Sequence, residues 1–228
     1  MKKIILLFVI SLMFSCGNEK VVLLPEINHA NITEIHDVSP AYLFYDTTQK
    51  DSVELNRKNL ISTTNWLVNV DKRLTLKQVI PHIKFLQDKK QNSSHKKKGV
   101  KNYFTCNDTS KKNLGFIEFT DVVYHNSTSV YSIEENDKLK SEANSVDLIV
   151  FDVNDINIIT MDHGIFKTDT SSLLNIIKDS LNSNSKAYEI FLRFEKDLTF
   201  QDYISIKSIL SEIKNEYIKI SNHEGISN

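Results

Sequence analysis

Little in this 228-residue chain can bend it tightly or cross-link it: it has five glycines, three prolines and two cysteines. So few glycines and prolines argue against a glycine-rich β-sandwich and against a low-complexity disordered chain. Two cysteines exclude a disulfide framework. No charge sign dominates, with a formal net charge of −1, so no broad basic field points to nucleic acid. No apolar run reaches the ~20 residues that span a bilayer as a helix. There is no H-E-x-x-H, C-x-x-C or G-x-S-x-G motif and no phosphate-binding glycine loop. The histidines, at 29, 36, 82, 95, 125, 163 and 223, are scattered, so no catalytic residue, metal site or cofactor is assigned and no enzymatic activity is expected. What remains is ordinary for a globular protein, 40% hydrophobic and 25% charged, and long enough for one sizeable core or two small ones.

The N-terminus carries the clearest signal. Lys2 and Lys3 precede an apolar run from Ile4 to Phe14, then Ser15 and Cys16. Charge, a short apolar core and a small residue at a cut site make a secretory signal. The run is about a dozen residues, short for a membrane span. The pattern resembles a bacterial lipoprotein signal, with Met13 and Phe14 departing from its usual residues. That resemblance implies a signal peptide over 1–15, cleavage before Cys16, and a lipid on Cys16 that partners the bilayer. Losing Lys2 and Lys3 takes the formal charge from −1 to −3. Gly17-Asn18-Glu19-Lys20 has no aspartate directly after Cys16, which favours the outer membrane over the inner. Cys106, in Asn102-Tyr-Phe-Thr-Cys106, reads as a buried apolar residue.

Residues 16–36, with Pro25 and no clear period, read as a lipidated tether. Ala41–Tyr45 and Trp66–Val70 are strand-like. Leu76, Val79, Ile80, Ile83 and Leu86 recur at helical spacing behind a Thr75–Gln78 capping box, with Pro81 expected to kink the second turn. Lysines at 89, 90, 96, 97, 98 and 101 suit a solvated loop. Tyr103–Cys106 and Leu114–Phe119 suit strands, and polar residues 126–145 suit a linker. Then come a strand at Asp147–Val153, a turn at Asn154-Asp155 and a strand at Ile156–Ile159. A helix over Leu173–Leu181 is capped by Ser171 or Ser172, and Tyr188–Phe194 is a strand. The last helix carries Tyr203, Ile206, Leu210, Ile213 and Tyr217, and Tyr217–Ile220 returns as a strand. Asp162-His163-Gly164 reads as a turn, and Asp71 and Glu195 as solvated turn charges.

Two segments match at a constant offset of 124 residues. Val68–Ile80 and Leu192–Ile204 share Lys72/Lys196, Leu74/Leu198, Thr75/Thr199 and Ile80/Ile204, and Asp71/Glu195 keep an acid. Each reads as a strand, a charged turn, a threonine cap and an amphipathic helix. This predicts duplication of one α/β unit, with Leu74 and Leu198 in buried corners and Thr75 and Thr199 at helix N-caps. The fold class is therefore α/β (α+β): two small β-β-α-β-α-β-like units at 37–125 and 146–222, helices on one face of each sheet.

Residues 147–221, through the run Glu189-Ile-Phe-Leu-Arg-Phe-Glu-Lys-Asp-Leu-Thr-Phe-Gln-Asp-Tyr203, resemble the periplasmic domain of the ExbD/TolR biopolymer-transport family. The family anchors through a transmembrane helix with an aspartate used in proton-coupled energy transfer; Ile4–Phe14 holds no acid, so that role is not carried over. Family members act as dimers through this domain, and a tandem pair could imitate the dimer within one chain. The resemblance implies an envelope lipoprotein acting as a non-catalytic scaffold or interaction module, with a link to a Ton/Tol-like system as its expected setting. Its partner would be an envelope protein or peptidoglycan. The alternatives are a glycan- or nutrient-binding lipoprotein, with a pocket lined by Trp66, Tyr103 and Phe104, and a hydrolase.

Overall fold

The computed structural model describes residues 20–95, 97–127, 144–160, 164–181 and 186–227. Cys16 and the signal segment, and most of the expected linker, lie outside them. Among the described residues the chain is a mixed α/β protein with two six-stranded sheets and three α-helices packed against them.

The first sheet runs β3 (Val53–Asn56), β2 (Val38–Tyr45), β4 (Asn65–Val70), β5 (Asn102–Asp108), with β6 (Asn113–Glu118) antiparallel along the far side of β5. β2, β4 and β5 are parallel and β3 is antiparallel to β2. Helix α1 (Leu76–Gln91) crosses from β4 to β5. In β4 Trp66, Val68 and Val70 are buried and alternate with half-buried residues, the period-two pattern of a strand with one face on a core. In α1 Leu76, Val79, Ile80, Ile83 and Leu86 are buried on one stripe. The helix continues through Pro81.

The second sheet runs β10 (Gly164–Thr168), β9 (Asp155–Thr160), β8 (Asn144–Asp152), β11 (Tyr188–Phe194), β12 (Ile218–Ser227), β7 (Val123–Ser127). β8, β11, β12 and β7 are parallel, with β9 and β10 added antiparallel. Helix α2 (Leu173–Ser180) precedes β11 and helix α3 (Phe200–Leu210) joins β11 to β12. Every residue of β11 is buried, as a central strand requires. The two units share one apolar core: the Phe104 ring of β5 stacks on Phe119 and meets Phe200 and Tyr203 of α3 edge-on.

Several expectations are corrected. Residues 123–127, divided between the first unit and the linker on sequence, form β7 and pair with β12 in the second sheet. The expected tether over 16–36 is laid on the body from residue 20 onward. Glu26–Ile27 forms β1, parallel to β5, and Ile32 bridges Phe116. Strands β3 and β10 were not expected; β3 alternates as Val53-Glu-Leu-Asn56 but over only four residues, and Gly164-Ile-Phe-Lys-Thr168 does not alternate. The hairpin turn is Val153-Asn154, one residue earlier than expected. Neither Ser171 nor Ser172 caps α2 through its side chain; the Asp169 carboxylate accepts the Ser172 N–H at 2.9 Å. Ile213 and Tyr217 lie beyond the end of α3. Asp162 and His163 lie outside the described residues, and Gly164 opens β10 at φ +82°.

Candidate functional site at the junction of the two units

The repeated segments build equivalent corners. After β4, the Asp71 N–H donates to the Leu43 carbonyl (3.0 Å) and the Leu74 N–H to the Asp71 carbonyl (3.1 Å). After β11, the Glu195 N–H donates to the Val150 carbonyl (3.1 Å) and the Leu198 N–H to the Glu195 carbonyl (3.2 Å), with both donors 124 residues on from Asp71 and Leu74. Leu74 is 0% exposed and Leu198 5%, so both plug their corners. Thr75 and Thr199 are the N-caps of α1 and α3. The Thr75 N–H donates to Gln78 Oε1 (2.8 Å). The Thr199 hydroxyl accepts the Asp202 N–H (3.2 Å) and donates to its carboxylate (2.6 Å).

The two corners are bonded to each other. The Leu76 N–H donates to the Leu198 carbonyl (2.9 Å) and the Phe200 N–H to the Leu74 carbonyl (2.6 Å). Outside this pair, Lys77 N–H donates to Lys196 carbonyl (2.8 Å) and Gln201 N–H to Lys72 carbonyl (3.2 Å). Exchanging the halves at an offset of 124 turns each bond into its partner. The halves are therefore related by a local two-fold axis through the antiparallel bridge between Thr75 and Thr199. First-turn N–H groups, which a helix leaves without internal partners, are satisfied by carbonyls of the other unit.

Two grooves flank the axis. One, of about 320 Å³, lies along α3 by Ser205, Ser208 and Ile209, with Glu212 just past the helix and Glu26–Asn28 in its wall. There the Glu26 N–H donates to Gln201 Oε1 (2.8 Å), Gln201 Nε2 donates to the Glu26 carbonyl (2.9 Å), and Lys72 Nζ pairs with the Glu26 carboxylate at 2.6 Å. β5 completes the clamp through Asn107 N–H to Pro25 carbonyl (2.8 Å) and Thr109 N–H to Ile27 carbonyl (3.0 Å). Gly115 of β6 makes room, because a Cβ there would stand 2.5 Å from the Ala30 Cβ. The other groove, of about 500 Å³, lies along α1 by Ile80, Pro81, Lys84, Phe85 and Asp88 and ends at Lys196 and Ile226. Pro81, Lys84, Phe85 and Asp88 are the offset-124 mates of Ser205, Ser208, Ile209 and Glu212. Asn126 of β7, the strand beside β12, lines it as Glu26 of β1, the strand beside β5, lines the first, and Phe85 is 44% exposed beside the Arg57 guanidinium.

Buried charge holds the assembly at two points. Asp71 is fully buried, a correction to its expected place as a solvated turn charge. Burial opposes its charge, but Arg73 (2.8 Å, two bonds), the Arg73 N–H and the Leu23 N–H outweigh it and hold the carboxyl below the usual range. Glu195 is half-buried and accepts from the Ser227 hydroxyl at 2.6 Å. Glu224, 0% exposed, takes the Lys207 ammonium on one oxygen and the Tyr203 hydroxyl on the other (2.8 Å); the Tyr124 hydroxyl lies 3.2 Å from that of Tyr203. Burial, reinforced by the Glu224 charge, pushes both phenols well above their ordinary range. This network ties β7, α3 and β12 together away from solvent. Across the sheet, His125 Nε2 and His223 Nδ1 are 2.8 Å apart with stacked rings.

The residues expected to line a ligand pocket do not form one. Trp66 is 2% exposed, donates Nε1–H to the Ile61 carbonyl (2.8 Å) and is covered by Lys90, whose ammonium lies 4.9 Å from the ring centroid. Phe104 is buried, and so is Tyr103. Cys106 is fully buried, and burial pushes its thiol up to about 12, which makes it unreactive. Among the described residues no group of three or more His, Cys, Asp or Glu could hold a metal ion. Phe85, Gln201 and Glu26 were not singled out on sequence; an apolar Phe85 off the buried stripe of α1 was the available signal. Comparison with protein-family models, curated proteins and solved structures finds no match to this chain.

Proposed function

We propose that the protein is a lipid-anchored, non-catalytic interaction module of a bacterial cell envelope, tethered through Cys16, with the outer membrane as the favoured location. The reading is carried by one observation, the two-fold junction at Thr75 and Thr199, where the matching strand–turn–helix corners of the two units bond to each other reciprocally, as in a built-in dimer. The likeness of residues 147–221 to the ExbD/TolR periplasmic domain supports it, since that family works as dimers through this domain. The absence of an acid in Ile4–Phe14 separates the module from proton-coupled energy transfer. Its partner is then an envelope protein or peptidoglycan. The test is fractionation of cells producing the native chain and Cys16→Ser. The native chain is expected in the membrane fraction with incorporated fatty acid, and the variant in the soluble fraction without it. A variant still in the membrane would overturn the anchor. Pull-down of peptidoglycan sacculi and of cross-linked envelope proteins by the native chain then identifies the partner class.

A further inference from the structure

We propose that the protein lies on the bilayer with the C-terminal ends of β2 and β4 against it, and that Val21, Leu23 and Tyr45 are the side chains that touch lipid. The proposal rests on the lipid at Cys16 and says how the body sits once that lipid is in place. Cys16 and Lys20 are four residues apart, so even a fully extended chain holds their Cα atoms within about 14 Å. A body of about 200 residues is about 40 Å across, so a leash this short cannot bring its far side to the membrane. The chain joins the body at residue 20. There the Lys20 ammonium bonds the carboxylates of Asp46 (2.6 Å), just past β2, and of Glu54 in β3. The Leu23 N–H donates to the Asp71 carboxylate (3.2 Å) and the Leu23 carbonyl accepts the Lys72 N–H (2.7 Å). Asp71 and Lys72 directly follow β4, so residues 20–23 cross the C-terminal ends of both strands.

The surface at that end has the chemistry of a bilayer contact. Val21 is 66% exposed, Leu23 42%, and Tyr45 is exposed too. The Arg73 guanidinium bonds Asp71 and lies 4.6 Å from the Tyr45 ring centroid, which brings Tyr45 to the same spot as Leu23. Tyrosine and arginine each pair an apolar body with a polar tip and suit the depth of the headgroups. The acids are matched: Lys20 lies between Asp46 and Glu54 and holds the Asp46 carboxyl well below the usual range, and Arg73 caps Asp71. Apolar area rather than attraction to anionic headgroups then makes the contact, so it needs no acidic lipid and resists salt. Three side chains suffice, because the lipid has already brought them to the surface. The opposite strand ends face away. The Ile61 N–H donates to Ser39 Oγ (3.0 Å), which places the exposed Ile61 about 20 Å along β2 from Tyr45.

The test uses the lipidated full chain in phosphatidylcholine vesicles, with a fluorophore on Thr47→Cys, exposed next to the patch, or on Ile61→Cys. Cys106 is buried with its thiol pushed up to about 12, and Cys16 carries the lipid, so neither takes the label. Nitroxide-bearing lipids should quench the Thr47 label and leave the Ile61 label bright, at low and high salt alike. Leu23→Asp with Tyr45→Asp should reduce quenching of the Thr47 label to the Ile61 level while the protein still floats with the vesicles. Val21→Asp alone should act in the same direction, and unchanged thermal unfolding shows that the fold is kept. Equal quenching of the two labels would overturn the proposal. So would Thr47 quenching that the patch variants do not alter, which leaves the leash acting alone. A native chain that carries no lipid and does not float ends the Cys16 reading and the orientation with it. Flotation with an unquenched Thr47 label ends the orientation only.

Discussion

Thr75 and Thr199 face each other as an isolated antiparallel bridge, each the N-cap of its own helix and each flanked by residues that bond to the other unit. The bonds are backbone bonds, so they hold the two-fold relation whatever the side chains there. That leaves the side chains free to diverge. Phe104 stands against Val68 in the register of the first sheet, and Glu224 stands against Leu192 in the second. An aromatic core residue in one unit is thus a buried acid in the other.

Leu74→Ala and Leu198→Ala should each lower unfolding free energy by about 2–5 kcal/mol, the usual cost of emptying a buried leucine site. Their carbonyls accept the reciprocal bonds, so the double variant should depart from additivity by more than about 0.5 kcal/mol. Urea unfolding of the four proteins measures both quantities. Additive losses would mean that the corners do not communicate.

Glu224→Leu should destabilise by about 3–5 kcal/mol, because it strands the Lys207 ammonium in a nearly closed site. Adding Lys207→Met should recover most of the loss, since a matched apolar pair carries no desolvation penalty. Thermal unfolding of the single and double variants decides it. A double variant no better than Glu224→Leu would show that the Tyr203 and Tyr124 hydroxyls, rather than the lysine, need the carboxylate.

Gly115→Ala should unseat the segment 27–30 from β6, at a cost of about 1–3 kcal/mol for overpacking. Amide hydrogen exchange would report faster exchange at Ala30, whose N–H now donates to the Asp108 carboxylate at 2.7 Å. The distant β8–β9 hairpin should exchange as before.

Lys90 should titrate near pH 8, because burial depresses its ammonium to about 8. The unfolded chain holds that proton up to the ordinary value of 10.5, so between the two values it binds more protons than the folded one. Stability contributed by this residue therefore rises as pH increases through that window, and the cost of the charge is fully present below it. Denaturation of native and Lys90→Met proteins at pH 7 and pH 10 would show a difference that shrinks if the shift is absent.

The corners were legible because they are local: a threonine cap, a leucine before it and a charged turn sit within a few residues, and the offset repeats them. β7 was not, because Val123–Ser127 is short and its pairing with β12 is far away in sequence. β1 is two residues long and owes its place to Gln201 and Lys72. Asp71 looks like a surface turn charge until Arg73 and the Leu23 N–H are seen around it. Glu224 sits in a polar stretch, Ser221-Asn222-His223-Glu224, that gives no sign of the enclosed side of a sheet.

The parallel pairing of β7 with β12 joins a mid-chain strand to the last of the described strands in sequence. During synthesis β7 emerges well before its neighbour exists, so the second sheet cannot close until nearly the whole chain is available. Contacts this distant slow folding, since the intervening chain must be ordered before they are made. A fragment ending before β12 would leave β7 without the strand that it pairs with, and cutting the gene between the two units would not yield two proteins.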